Sequence, residues 1–190
     1  VQDANGNRTS FSYDDMNRLL ALTNAQGYVT TYQYDNNSNL TEVMDALGRR
    51  TTTMYDALNR PTATVDATSN LTTVVYDILG NPIATVDALN NRTTRVYDGN
   101  SRPIAVVDAL GNRTTTVYNA AGYPLAVEDA LNRRSTTVYE CARVVAQVDA
   151  LGNRTSFSFD AVGNRTAVQD ANGNRSTVVY DALNRVQATV

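Results

Sequence analysis

Nineteen carboxylates, sixteen basic residues that are all arginine, one cysteine and no histidine are the groups with which this chain could do chemistry. Most of the acids fall in two columns. One holds Asp14, Asp35, Asp56, Asp77, Asp98, Asn119, Glu140, Asp160 and Asp181. The other holds Asp3, Asn24, Asp45, Asp66, Asp87, Asp108, Asp129, Asp149 and Asp170. Acid-rich turns can bind calcium, but each ion needs six or more oxygens. Each turn here offers one reliable carboxylate, because its other positions vary among Ala, Leu, Gly, Asn and Thr. Turn capping, in which Asp or Asn bonds its own nearby backbone, needs only that one group. Glycoside hydrolysis needs two acids in different environments across a cleft, and equivalent rungs are the opposite of such a pair. With no histidine and a lone Cys141, Ser–His and Cys–His nucleophiles and Cys/His zinc sites are excluded within these residues. The sequence therefore predicts no catalytic residue, no metal ligand and no cofactor.

What positions those columns is a repeat. Tyr13, Tyr34, Tyr55, Tyr76, Tyr97, Tyr118, Tyr139, Phe159 and Tyr180 recur every 21 residues, with one step of 20 between Tyr139 and Phe159. A fixed period in this range marks an array in which each unit buries its apolar face against its neighbours. The aromatic column is a structural ladder on this reading, and a strip for stacking sugar rings on the other. Four residues before each aromatic stands a hydroxyl, and five before it usually an arginine, whose expected partner is a neighbouring unit's Asp. The small residues Ala21, Ala63, Ala84, Ala105, Ala126, Ala146, Ala167 and Ala188 form a further column, with Glu42 its one departure.

Segments such as Arg113–Tyr118 and Ile104–Asp108 are rich in β-branched and aromatic residues, which suit a pleated surface. Clusters such as Asp108-Ala-Leu-Gly-Asn112 separate them and read as turns. No window carries a helical period. Pro61, Pro82, Pro103 and Pro124 open the second strand of their units, where a missing N–H does least harm. The one-residue deletion in Tyr139-Glu-Cys-Ala-Arg143 falls in a turn, so the strands resume in phase. The expected fold is all-β, a repetitive array of about nine 21-residue β-hairpin units over residues 1–190, forming a spiralling sheet or a β-solenoid. Tyr and the Ala column are expected to share the drier face. The chain opens and closes mid-unit and reads as a window cut from a longer array.

The units Tyr55-Asp-Ala-Leu-Asn-Arg60 and Tyr97-Asp-Gly-Asn-Ser-Arg102, each with Asp eleven residues after the Tyr (Asp66, Asp108), resemble YD repeats of the Rhs type. That family includes bacterial Rhs proteins, the BC component of insecticidal toxin complexes, wall-associated bacterial proteins and animal teneurins. The resemblance implies one β-hairpin per repeat and, in several members, a sheet closed into a shell around a toxin polypeptide. The family's shell-closing segment, with its Asp-Pro motifs and aspartyl self-cleavage, has no counterpart, since the chain contains no Asp-Pro dipeptide.

Net charge is −3, and the arginines are spread along the array rather than gathered in a patch, which argues against nucleic acid as a partner. No apolar run approaches the roughly 20 residues of a membrane span. Asn7, Asn36, Asn39, Asn70, Asn91, Asn112, Asn153, Asn164 and Asn174 sit in Asn-x-Ser/Thr sequons, which are glycan acceptors in a secreted eukaryotic chain or mere juxtapositions of a turn Asn and a strand Thr. Cys141 reads as a turn residue, or as the thiol of an intermolecular bridge. The function expected is structural: a shell wall or scaffold, outside the cell or at its surface. A long self-associating fibre is the alternative, and a carbohydrate-binding adhesin a second one. Expected partners are further copies of the array, an enclosed polypeptide or surface glycans. Tyr97→Ala should cost about 3 kcal/mol locally and leave distant units folded. Uniform loss of hydrogen-exchange protection across all units would sink this one-dimensional picture.

Overall fold

The computed structural model describes every residue except Asn5 and Asn7. It divides into two compact units, Val1–Thr94 and Arg95–Val190. The first contains β1 (Ser10–Tyr13), β2 (Leu19–Thr23), β3 (Val29–Tyr34), β4 (Leu40–Met44), β5 (Arg50–Tyr55), β6 (Pro61–Val65), β7 (Leu71–Tyr76), β8 (Pro82–Val86) and the opening residues of β9 (Arg92–Tyr97). The second contains the rest of β9, then β10 (Pro103–Val107), β11 (Arg113–Tyr118), β12 (Pro124–Glu128), β13 (Arg134–Glu140), β14 (Arg143–Val148), β15 (Arg154–Phe159), β16 (Arg165–Gln169), β17 (Arg175–Tyr180) and β18 (Val186–Thr189). Among the described residues there is no helix, so none crosses a membrane. Within each unit every strand pairs antiparallel with its sequence neighbour, as in β5–β6, β6–β7 and β7–β8. The repeat is therefore a hairpin and not one coil of a solenoid. Equivalent tyrosines lie two strands apart, roughly 9–10 Å.

Each hairpin contains a bulge. Val75 faces Ala84, but the next residue, Tyr76, faces Pro82, so Ile83 is extra. The same shift separates Val117 and Tyr118, and Val138 and Tyr139. Opposed residues share a face and consecutive ones do not. Ala84 thus lies with Val75, Thr73 and Val86, while Tyr76 points to the other side. This corrects the expectation that Tyr and the Ala–Val column share a face. A bulge adds a residue to one strand only, and nothing in the strand columns announces it.

A single layer of strands has little interior. The buried apolar residues are Ala84, Ala105, Ala126, Ala146 and Ala167, at most 4 % exposed. Each is the shortest side chain on its face. Ala84, for example, is overhung by Val75 and Thr94 on the adjoining strands. Most of the aromatic rungs are half-buried, and Tyr13 on β1 is exposed. The local cost expected for Tyr97→Ala accordingly falls to about 1.5 kcal/mol.

The turns that join the strands share one shape, except at Cys141–Ala142. In Asp77–Asn81 the Gly80 N–H donates to the Asp77 carbonyl and the Asp77 N–H to the Asn81 carbonyl, at 3.1 and 3.0 Å. This is a three-residue loop, a type I turn followed by one left-handed residue. In these three-residue turns the left-handed position carries Gly, Asn or Ser: Gly80 has φ 89°, Asn132 φ 58° and Ser101 φ 59°. Those types tolerate that region, whereas a β-branched side chain collides with its own backbone. Asn132→Val should therefore cost about 1–2 kcal/mol and Asn132→Gly almost nothing, measured by thermal unfolding of the full chain. Equal melting temperatures for the two variants would refute the assignment.

Candidate functional site

The groups that recur with chemical potential meet at the turns and at the joint between one hairpin and the next. In most turns an Asp carboxylate opens the turn and closes on its own loop. Asp77 Oδ1 accepts the N–H groups of Leu79 and Asn81 at 2.9 and 2.8 Å, and its Oδ2 accepts the Asn81 amide at 2.9 Å. Asp66, Asp87, Asp108, Asp149 and Asp170 hold the same three kinds of donor. Where the closing residue is arginine, its Nε takes the amide's place, at 2.7 Å in Asp56–Arg60 and 2.6 Å in Asp45–Arg49. Asp129 is bound in the same way by Arg133. Asp3 accepts the Gly6 N–H through its carbonyl.

The ion pairs found among the described residues are thus mainly between an Asp and the arginine four residues on, in the same turn. They do not join an arginine five before the aromatic to a neighbouring unit's Asp. In that column Arg50 alone has an acid partner among these pairs, Glu42 at 3.3 Å. The turn arginine wins because loop geometry already holds it against the carboxylate, so little side-chain freedom is lost.

The sequon asparagines serve the same turns. Asn39, Asn70, Asn91, Asn112, Asn153, Asn164 and Asn174 each donate the amide to the Asp that opens the loop. That amide nitrogen is the atom a glycan would take, so attachment would compete with the cap. Asn7 lies outside the described residues, and Asn36 is an exposed inner turn residue.

The joints need help because their ladders are short. Between β6 and β7 the pairing ends at Ala63–Thr73, leaving the end near the aromatic unladdered. The tyrosine hydroxyl bridges it. Tyr76 donates to the carbonyl of Pro61 at 2.9 Å, fifteen residues back. Tyr34, Tyr55, Tyr118, Tyr139 and Tyr180 bond Leu19, Leu40, Pro103, Pro124 and Arg165 in the same way, at 2.9–3.3 Å. Phe159 lacks the hydroxyl. Its ring instead lies 4.7 Å from the Arg143 guanidinium, a contact that Arg18, Arg60 and Arg102 repeat over Tyr34, Tyr76 and Tyr118 at 4.5–4.9 Å. Each such contact is worth about 0.5–1 kcal/mol at an exposed site. Sequence reasoning missed these arginines. They stand five residues after the aromatic (four at Arg143), a spacing visible in the aligned units.

Cys141 is exposed. With Ala142 it forms a two-residue loop, both at positive φ (46° and 68°), which is a type I′ turn made without Gly or Asn. Glu140 and Arg143 now face each other as strand residues. A groove of about 600 Å³ over β3–β5 contains Asp35, Glu42 and Asp56. All three acids there are engaged: the two aspartates cap turns, and Glu42 meets Arg50. Among the described residues no cluster of His, Cys, Asp and Glu could hold a metal ion.

The RHS Repeat family model matches residues 1–28, 17–50, 34–71 and 143–175, more than half of the sequence. The chain belongs to the RHS repeat family. Among solved structures this RHS array is similar to a chain of a TcdB2-TccC3-Cdc42 crystal structure, with 15% identity and TM-score 0.58 over 99% of its length. It is likewise similar to a chain of a TcdB2-TccC3-TEV structure, with 16% identity and TM-score 0.55 over 96%. In both cases it spans 13% of the matched chain. At that identity the likeness is one of fold. No curated protein matches the sequence. The RHS array is a structural repeat segment.

The turns give the array a defined response to acid. The Asp56 carboxyl is held below its ordinary value of 3.8 by the Arg60 side chain first, then by the backbone N–H groups of Arg60 and Leu58. Asp87 and Asp108 are lowered first by the Asn91 and Asn112 amides, then by backbone N–H groups. A carboxyl with a lower pKa folded than unfolded adds stability above the unfolded value and loses it as pH falls through the folded one. Stability should therefore be level from pH 7 to about pH 5 and fall below about pH 4. Asn24 shows that an amide still accepts the loop's N–H groups, from Gln26 and Tyr28 at 3.0 Å. Asp87→Asn should therefore fold, be less stable at pH 7, and lose less than the parent on acidification, followed by circular dichroism melts. An acid limb as steep as the parent's would show that these caps do not set it.

Proposed function

We propose that this chain is a non-catalytic wall segment of an Rhs-like protein found outside the cell or at its surface. Its hairpins continue into further repeats of the same array, and the array encloses a polypeptide. The observation that carries this reading is where the recurring polar chemistry goes. Carboxylates close turns, tyrosine hydroxyls bridge joints, and the turn guanidiniums lie over the next hairpin's ring. The groups a binding or catalytic site would need are engaged in capping turns or in joining one hairpin to its neighbour. What remains on the two faces is mainly Thr, Val, Ala and exposed strand arginine, recurring from repeat to repeat, which suits a surface that is extended rather than focused. The matched family and the fold-level likeness to TcdB2-TccC3 chains support a wall over a free-standing module, because the segment spans a small part of those chains.

Electron imaging of the native, untrimmed protein that carries this array tests the reading. A hollow closed body with a protease-protected polypeptide inside is the expected result. A filament of constant width would overturn the wall and favour the fibre.

A further inference from the structure

The residue that closes the turn after each aromatic is not the same from repeat to repeat. Counting hairpins from β1–β2, odd ones close with Arg18, Arg60, Arg102, Arg143 and Arg185, and even ones with Asn39, Asn81, Tyr123 and Asn164. The sequence thus carries a 42-residue period inside the 21-residue one, with the step of 20 shortening it once.

The contacts alternate with it. Arg60 Nε holds Asp56 in its own turn, its guanidinium lies 4.5 Å from the Tyr76 ring, and its Nη1 donates to the Asp77 carbonyl at 3.4 Å. Arg18 does the same to Asp14, Tyr34 and the Asp35 carbonyl, and Arg102 to Asp98, Tyr118 and the Asn119 carbonyl. The even joints differ. Asn39 donates one hydrogen bond to Asn59 Oδ1 at 2.7 Å, and Asn164 one to Asn184 Oδ1 at 2.9 Å. Tyr123 stacks on Tyr139, centroids 5.3 Å apart.

The receiving side is matched. Opposite an arginine, the next turn's left-handed residue is small: Ser38, Gly80, Gly122 or Gly163. A Cβ at Gly80, Gly122 or Gly163 would lie 3.7, 3.5 or 3.0 Å from the guanidinium nitrogens of Arg60, Arg102 and Arg143. Ser38 keeps its side chain and accepts from Arg18 Nη1 at 3.1 Å. Opposite Asn39 and Asn164 the left-handed residue is an asparagine, whose oxygen takes the amide. Within each compact unit, arginine joints with a small partner thus alternate with neutral ones, while the turn after Asn81 carries Ser101 at its left-handed position.

We infer that the conformational unit of this array is a pair of hairpins. An arginine clasp closes the open end of the joint inside each pair, and a single neutral contact or a ring stack closes it between pairs. The inference stands on contacts within each compact unit and is independent of what the array encloses. One guanidinium, held by its own turn's Asp, reaches the next ring and the next turn's carbonyl at once, so opening the joint breaks both of those contacts together. An Asn–Asn joint has one neutral bond in place of the clasp; both kinds of joint keep the tyrosine hydroxyl bond, and the Asn39 joint adds Arg50–Glu42, a surface ion pair of small net value. Such an array yields first at every second joint, in steps of about 42 residues, when it is bent, pulled or locally unfolded.

Native-state hydrogen exchange on the full chain, resolved by peptide, tests this. Ladder amides across the Arg60 joint, between β6 and β7, should open together and more slowly, by roughly fivefold or more, than those across the Asn39 joint, between β4 and β5. Converting the clasp with Arg60→Asn and Gly80→Asn should remove that difference at this joint alone. The reverse change, Asn164→Arg with Asn184→Gly, should slow opening at its joint, and it keeps the test decisive if the first variant folds poorly. Equal exchange at Arg60 and Asn39 joints in the parent, or no slowing in the installed clasp, would overturn the inference.

Discussion

Most of this structure depends on the side-chain oxygen that opens and caps each three-residue turn, a carboxylate in most and an amide at Asn24 and Asn119. A chain that reverses direction about every ten residues must satisfy its loop backbone without help from an interior, because there is hardly any interior. One Asp accepting two backbone N–H groups and a side-chain donor does this locally, and the left-handed residue beside it brings the strands back into alignment. Turn length then fixes strand register, and register fixes which side chains meet across each joint. The short turn at Cys141–Ala142 shows how strict this is. It drops one loop residue, yet Glu140 and Arg143 pair as strand residues and Val138 still faces Ala146. Register survives because the loop changed type, at the cost of two residues in a conformation that glycine or asparagine fills more easily.

The joints pose the complementary problem. Bulge and proline both fall near the aromatic end, so the backbone ladder between hairpins stops early there. The tyrosine column answers with its hydroxyl as well as its ring, reaching a carbonyl fifteen residues back. That explains why the column is nearly always Tyr when packing alone would accept any large apolar side chain. The single Phe, Phe159, gives up that hydrogen bond and keeps the arginine over its ring, a contact three of the tyrosines also have.

The period, the strand and turn boundaries and the all-β hairpin fold were legible in the sequence, because nine copies superpose and each column has a plain local meaning. The pairing of faces was not. It hinges on a bulge residue such as Ile83, which looks like any other strand residue and reverses the relation between Tyr76 and Ala84. The arginine partners were misassigned for a different reason. The conspicuous column lies five residues before the aromatic, whereas the arginines that reach the rings stand after it and in alternate repeats only. Averaging over a 21-residue period erases an alternation of 42.

The departures in the middle of the second unit support the same logic. Where Asp gives way to Asn119, the turn has no carboxylate to hold a guanidinium, and the closing residue is Tyr123, not arginine. Its backbone N–H still bonds Asn119 Oδ1 at 2.9 Å, and its ring stacks on Tyr139. One hairpin later Glu140 replaces the capping Asp, the loop shortens, and Arg143 reaches Phe159 from a turn that needs no carboxylate cap. At each step the chemistry changes and the joint is kept: carboxylate with guanidinium, amide with ring, ring with cation. Selection that preserved a particular ligand or reaction would hold particular groups fixed. Selection that preserves contact between neighbouring hairpins permits such exchanges provided both sides of a joint change together, and this is the pattern that repeats six to eight display.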